Sequence, residues 1–380
     1  MKCKRVIFFV LVLFLVSLMD TVLEGVDTGE IDKVRNKGVL DNGDLEIIDN
    51  FVADAVEELV RSRDFTSISK ARSIILLRKG PSRQSAAAQY SEQFSESAYK
   101  HISEALEEAK QITPEEQRFK VILNLLILVD GLKYLRLADL SMEWLDDENS
   151  VIRYWAVHSV TNPGFMRQLN SSESSNTKLA ERIIEKLKGL VDSSSPETLR
   201  LMAEFAASVE VPEGEDLLLD ITDERISRYA DWTVEFELLD GTILKLLDSK
   251  IPLGSSSNPA IARRFSQLYS YAIQRYVKGR DFLSATAKEQ LASALVETEQ
   301  TCIVRRLGEG QSKIKEAIEA DDYESLLEEH NKLLGEATRA GQLPLKLNFD
   351  YGKAKDGERQ ISPQSLPEPP ETEAGNEGLI

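Results

Sequence analysis

The sequence predicts an all-α protein built from repeated helix–turn–helix units. Three observations carry that reading. Apolar residues recur at intervals of three and four along most of the chain. Segments open on Asn, Thr or Pro and close on Gly, the start and stop chemistry of helices. An aliphatic–Arg–x–x–Ala pattern also appears twice, each time after a polar turn.

In order along the chain, residues 26–43 are polar and dotted with glycine, which predicts a linker. In "DLEIIDNFVADAVEELV", Ile47, Ile48, Phe51, Val52, Ala55, Val56, Leu59 and Val60 make one broad apolar stripe, as an amphipathic helix requires. "ITPEEQRFKVILNLLILVDGL" predicts a helix with Thr113 as N-cap, Pro114 in the first turn and Glu116 closing a capping box. Its run from Val121 to Val129 is apolar almost all round, so it should be packed on several sides. "WTVEFELLDGTILKLL" (232–247) alternates at first and contains Asp240-Gly241, a hairpin signal. The same residues also fit helical spacing, and its helical neighbours favour a helix. "SSNPAIARRFSQLYSYAIQRYVKG" opens with Asn258 and Pro259 and stripes through Ile261, Phe265, Leu268, Ala272 and Ile273 before Gly279. Two further helical stretches follow, and 44–348 reads as one helical domain of about a dozen helices. From 349 to 380 the chain is acidic and loses apolar content, and its last 20 residues hold four of the twelve prolines and no aromatic residue. That composition predicts a disordered tail.

The repeated pattern is Ile152-Arg153 with Ala156, and Leu199-Arg200 with Ala203, 47 residues later. "DDENS" precedes the first and "DSSSPE" the second, each after an apolar helix end. These residues resemble the HEAT repeat family, whose second helix opens after an Asp- or Pro-containing turn with an aliphatic–Arg pair and an alanine three residues beyond. The resemblance covers residues about 140–270. It implies stacked antiparallel helix pairs, an α-solenoid or superhelix, and a surface that binds other proteins. A small residue such as Ala156 lets helices approach closely, and an arginine at the turn can bond carbonyls or a carboxylate. Beside them, His158 reads as a structural or rim residue and Trp155 as packing between units.

The net charge of −18 argues against nucleic acid as a partner, because phosphate binding needs a basic face. The histidines, His101, His158 and His330, are isolated in sequence, and no H-E-x-x-H, Cys/His cluster, G-x-S-x-G elbow or calcium loop is present. No cofactor or metal is expected. Cys302 reads as a small buried hydrophobe. Pro259 to Arg280 holds five basic residues, Arg263, Arg264, Arg275, Lys278 and Arg280, with no acidic one, and Tyr269, Tyr271 and Tyr276 lie between them. Two readings stand: pairing within the chain with Glu210, Glu213, Glu215 and Asp216, or a docking patch for an acidic partner. The expected role is a non-catalytic scaffold or adaptor that binds another protein. The alternative is a hydrolase or lyase acting through a carboxylate pair on a helical scaffold.

Lys2, Lys4 and Arg5 precede the 14-residue apolar run 6–19, the layout of an export signal and short for a bilayer span of about 20 residues. Export to a periplasm or secretion is expected, with 1–25 removed. Retention of 6–19 as a membrane tether is the alternative, since Leu23-Glu24-Gly25 departs from the small-residue cleavage pattern. Mass spectrometry of the protein from its native cells decides between them: an N-terminus at Val26 marks cleavage, one at Met1 marks a tether.

Overall fold

A computed structural model describes residues 26–82, 87–171, 173–252, 258–281, 283–353 and 357–370. Residues 1–25, where an export signal or membrane tether is expected, and residues 371–380 lie outside the described residues. The all-α class holds: the described strands are a single two-residue antiparallel pair, β1 (Gly335–Glu336) and β2 (Arg339–Ala340). The chain divides after Leu137 into two compact units.

The first unit holds α1 (Gly29–Val34), α2 (Asn42–Arg61), α3 (Phe65–Arg78), α4 (Ala87–Ala109) and α5 (Glu115–Leu132). The expected linker is therefore partly structured. Ile31 and Val34 are buried, and α1 packs on α2. Two apolar residues three apart are enough to dock one short turn, and composition averaged over a polar stretch hides them. α2 starts with a capping box between Asp41 and Asp44 and buries Ile48, Phe51, Val52, Ala55, Val56 and Leu59 against α3 and α4. α5 is buried on several sides, as its apolar run predicts. It opens one residue later than its sequence suggests: Pro114 is the N-cap, and no side chain caps the helix. Its buried Asn124 accepts from Arg72 at 2.6 Å and donates to the Lys120 carbonyl, so no polar group there is left unpaired.

The second unit holds α6 (Ala138–Met142), α7 (Ser150–Val160), α8 (Met166–Leu169), α9 (Ser174–Lys188), α10 (Pro196–Ser208), α11 (Pro212–Ala230), α12 (Leu238–Lys250), α13 (Pro259–Lys278), α14 (Ala285–Thr298), α15 (Val304–Leu307), α16 (Ile314–Glu319), α17 (Tyr323–Leu334) and α18 (Gln342–Leu347). Asn149, Ser195 and Asn258 cap α7, α10 and α13 through their side chains. A π-helical turn, Glu299–Ile303, continues α14 into α15. The Glu299 carboxylate accepts from the Ile314 and Lys315 amides, which caps α16 from a distance.

α13 is the hub. It packs against α11, α12, α14, α17 and α18, and every residue from Phe265 to Tyr276 is buried. The helix expected over 232–247 begins only at Leu238, with Asp240 and Gly241 inside it, and 232–237 is a loop. Two buried arginines hold that loop. Arg225 pairs with Asp240 through Nε at 2.7 Å and Nη2 at 2.8 Å and donates to the Glu235 carbonyl. Arg275 donates to the Val234 carbonyl and to Glu237. The Tyr229 hydroxyl donates to Asp240 at 2.7 Å.

Both Arg225 and Asp240 are 0% exposed, so removing one partner strands a charge in the core. Asp240→Ala should lower unfolding stability by about 3–5 kcal/mol, read from urea denaturation. A loss under about 1 kcal/mol, the range of exposed ion pairs, would show that the pair is not buried.

Candidate peptide-binding groove

The basic stretch on α13 does not form an exposed patch. Tyr269 and Tyr276 are core residues. Tyr269 bonds the Leu295 carbonyl, and the Tyr276 ring lies 5.9 Å from that of Tyr323. Arg275 is buried, its guanidinium over the rings of Tyr229 at 5.8 Å and Trp232 at 5.2 Å. Among the described residues its Nε and Nη1 have no hydrogen-bond acceptor, and the guanidinium lies against the two aromatic faces. The remaining cations pair within the chain: Arg264 with Asp223, Arg263 with Asp350, Lys278 with Glu368 and Arg280 with Asp281. The acidic partners are thus not the four expected; Glu215, for one, accepts from Asn258. A helix surrounded on every side cannot offer a continuous patch.

What covers the polar side of α13 is the described part, 349–353 and 357–370, of the tail expected to be disordered. Phe349, Tyr351 and Leu366 are buried. The chain turns back on itself: the Tyr351 amide donates to the Gln360 carbonyl, and the Gln360 amide to that of Gly352. Asp350 clips this turn, accepting from Arg359 at 2.7 Å and from Arg263 and the Gly352 amide. The chain then passes Gly335, whose φ is +110°; a Cβ there would lie 2.6 Å from the Ile361 carbonyl.

From there it runs along α13 as an extended strap bound by its main chain. Gln267 accepts from the Gln364 amide at 2.8 Å and donates to its carbonyl. Gln274 accepts from the Leu366 amide at 2.8 Å and also donates to the Gln364 carbonyl. Lys278 donates to the Leu366 carbonyl at 2.7 Å, and the Trp232 indole to that of Pro367 at 3.1 Å. Arg263, Gln267, Gln274 and Lys278 are spaced by four, seven and four, so one helical stripe supplies these groups. Beneath it, Gln274 also donates to Ser270.

Ser270, His330 and Asn331 form a chain that invites a catalytic reading. Ser270 Oγ is 2.8 Å from His330 Nε2, and His330 Nδ1 is 2.9 Å from Asn331 Oδ1. Ser270 is fully buried in mid-helix, where neighbouring amides are committed to helical carbonyls, so no oxyanion donors converge on it. The chain ties α17 to α13. Burial holds the His330 pKa below its ordinary value, against a smaller opposing effect of the Asn331 bond. Burial likewise pushes the Cys302 thiol up to about 11, so it stays protonated.

The two repeat-like segments are alike only in part. Ile152 and Leu199 are buried, and so are Ala156 and Ala203, and α7 packs on α10. The arginines differ: Arg153 donates to the Asp147 and Glu148 carbonyls of the preceding turn, whereas Arg200 pairs with Glu204 on its own helix. Trp155 and His158 are half-buried, their rings 5.1 Å apart beside Tyr154.

In the first unit an open cleft of about 370 Å³ between α2 and α4 is lined by Glu57, Arg61, His101, Glu104 and Glu108. His101 there lies 3.1 Å from Asp49 and 3.4 Å from Glu104. Among the described residues no cluster of three or more His, Cys, Asp or Glu side chains is placed to hold a metal ion, and no helix is long and apolar enough to cross a membrane. The sequence matches no family model and no curated protein.

His330 sets a pH dependence. The unfolded chain takes up a proton as pH falls through about 6.5, while the folded chain resists it, so the unfolded state gains stability first. Unfolding free energy should therefore fall by up to about 1.4 kcal/mol per pH unit from pH 6.5 downward until the folded pKa is reached. His330→Asn should flatten that slope; an unchanged slope in urea titrations between pH 7 and 5.5 would assign it to other groups.

Proposed function

We propose that this chain is a non-catalytic scaffold or adaptor, exported from the cytoplasm, that binds another protein through its helical surface. The observation that carries the reading is the stripe on α13, which holds an extended segment by main-chain atoms. Side-chain amides aimed at backbone donors and acceptors serve recognition of a chain, not turnover of a substrate.

The buried carboxylates support the same reading against a hydrolase. Among the described residues, Asp240 pairs with Arg225, Glu237 with Arg275 and Asp248 with Arg305 and Arg306. Glu299 caps α16, while Asp44 and Glu329 pair with Lys37 and Lys332. None of these is left over to act as a general acid. The HEAT-like arrangement of the second unit belongs to this proposal too. It is supported by the equivalent burial of Ile152 with Ala156 and Leu199 with Ala203 and by the packing of α7 on α10, and the arginines lend it nothing.

Site-specific crosslinking in the native cells tests the reading. A photoreactive side chain at Lys278, on the stripe, should give one reproducible adduct with another protein, and one at the exposed Leu77 should not. Adducts confined to the chain itself at both positions would defeat the adaptor assignment.

A further inference from the structure

We propose that the α13 stripe is a site for left-handed, polyproline-type peptides with an apolar anchor, and that residues 361–369 are its built-in competitor. The inference deepens the adaptor reading and rests on it.

The strap shows the period of three that a polyproline helix imposes. Pro363 and Leu366 are buried and Pro369 is half-buried, while Gln364, Ser365, Pro367 and Glu368 are exposed. Buried positions therefore fall one turn apart along a single face. The strap runs in the same direction as α13, from Gln364 at Gln267 to Glu368 at Lys278. Five strap residues at a rise of about 3.1 Å cover roughly 12 Å. The twelve residues of α13 from Gln267 to Lys278 cover about 16 Å, a difference of about 4 Å that lies within the reach of Gln and Lys side chains.

The positions of the prolines match the hydrogen bonds. Only the amides of Gln364 and Leu366 donate to the stripe. Prolines stand at 363, 367, 369 and 370, and none at 364 or 366. Proline lacks an N–H, so it is tolerated at each place where the groove asks for none. The Trp232 indole, donating to the carbonyl of Pro367, is the kind of aromatic contact by which polyproline peptides are held elsewhere. Trp232 sits at φ +59° and Phe236 at φ +56°, a left-handed backbone that non-glycine residues rarely adopt. The Arg225 and Arg275 bonds to the Glu235 and Val234 carbonyls hold the loop in that form, with the indole facing the strap.

The occupant this selects is an extended segment of the form Pro–x–x–apolar–Pro–acidic, where the residue after the first proline and the apolar residue both keep their N–H. Main-chain recognition leaves the exposed positions free to vary, so the same groove accepts a partner's segment. The strap, tethered through a short turn, competes at an effective concentration on the order of millimolar. A partner must exceed that to enter.

The test uses the full chain and a fluorescein-labelled peptide of residues 360–369, QISPQSLPEP, read by fluorescence anisotropy. The parent should bind it weakly. Leu366→Asp, which loosens the tethered strap, should tighten binding at least ten-fold. Glu368→Lys, a change at an exposed ion pair that leaves the core untouched, should tighten it about three-fold. Adding Gln274→Ala to Leu366→Asp should remove the gain, and so should a probe with proline in place of its second glutamine. No gain in either strap variant overturns the inference, as does a gain that survives Gln274→Ala or the proline-substituted probe. Loss of the probe signal with the Lys278 crosslink intact would remove the polyproline assignment and leave the adaptor reading standing. Probe binding without any intermolecular crosslink would do the reverse.

Discussion

The second unit depends on one constraint: a helix buried on every side must still satisfy its polar groups. α13 carries Gln267, Ser270 and Gln274 among its buried residues. A buried amide without a partner costs about 1–3 kcal/mol, so a row of them is tolerable only if something polar lies against it. Packed side chains of a neighbouring helix are a poor match for such a row, because that helix spends its own amides internally. A chain with free backbone groups is a good one. The strap supplies those groups, and the glutamines supply what an extended chain lacks when it has no sheet to join. Helix and strap therefore satisfy each other, and neither composition makes sense alone.

The same logic holds the loop between α11 and α12. A backbone segment in irregular conformation has carbonyls to place, and Arg225 and Arg275 take those of Glu235 and Val234. Each arginine is charged and buried, so each needs a carboxylate, which α12 and its approach provide as Asp240 and Glu237. Desolvating such pairs makes them weak sources of net stability. What they give is definition: they fix Trp232 where its indole meets the strap. The Arg225 pair thus bears on the seat of the strap without touching the strap.

Much of the helical framework was legible in the sequence, because the stripes of α2 and α5 and the Asn258-Pro259 start of α13 are local signals. The site was not. Arg263, Gln267, Gln274 and Lys278 lie on one stripe that can be counted from the sequence, yet the stronger local signal there is a basic run interleaved with tyrosines. Nothing local says that Arg275 points into the core while Lys278 meets a segment 88 residues away. The two arginines of the repeat-like segments carry the same lesson, since a shared pattern placed one on turn carbonyls and the other on its own helix.

Residues 357–370 of the tail are ordered against α13, and the reason is physical. The low apolar content of 349–380 predicts disorder, because too little surface is buried to offset the ordering entropy. That argument assumes a chain must bring its own core. Proline lowers the entropy to be lost, since its φ is already set, and a polyproline segment makes no internal hydrogen bonds that need protecting. Such a chain can be ordered by a few borrowed hydrogen bonds and one buried leucine. The same economy keeps the contact shallow. A segment held by main-chain bonds to three side chains and an indole, with most of its own side chains exposed, is fastened strongly enough to be placed. The proposed exchange requires that it also be held weakly enough for another chain offering the same backbone to replace it.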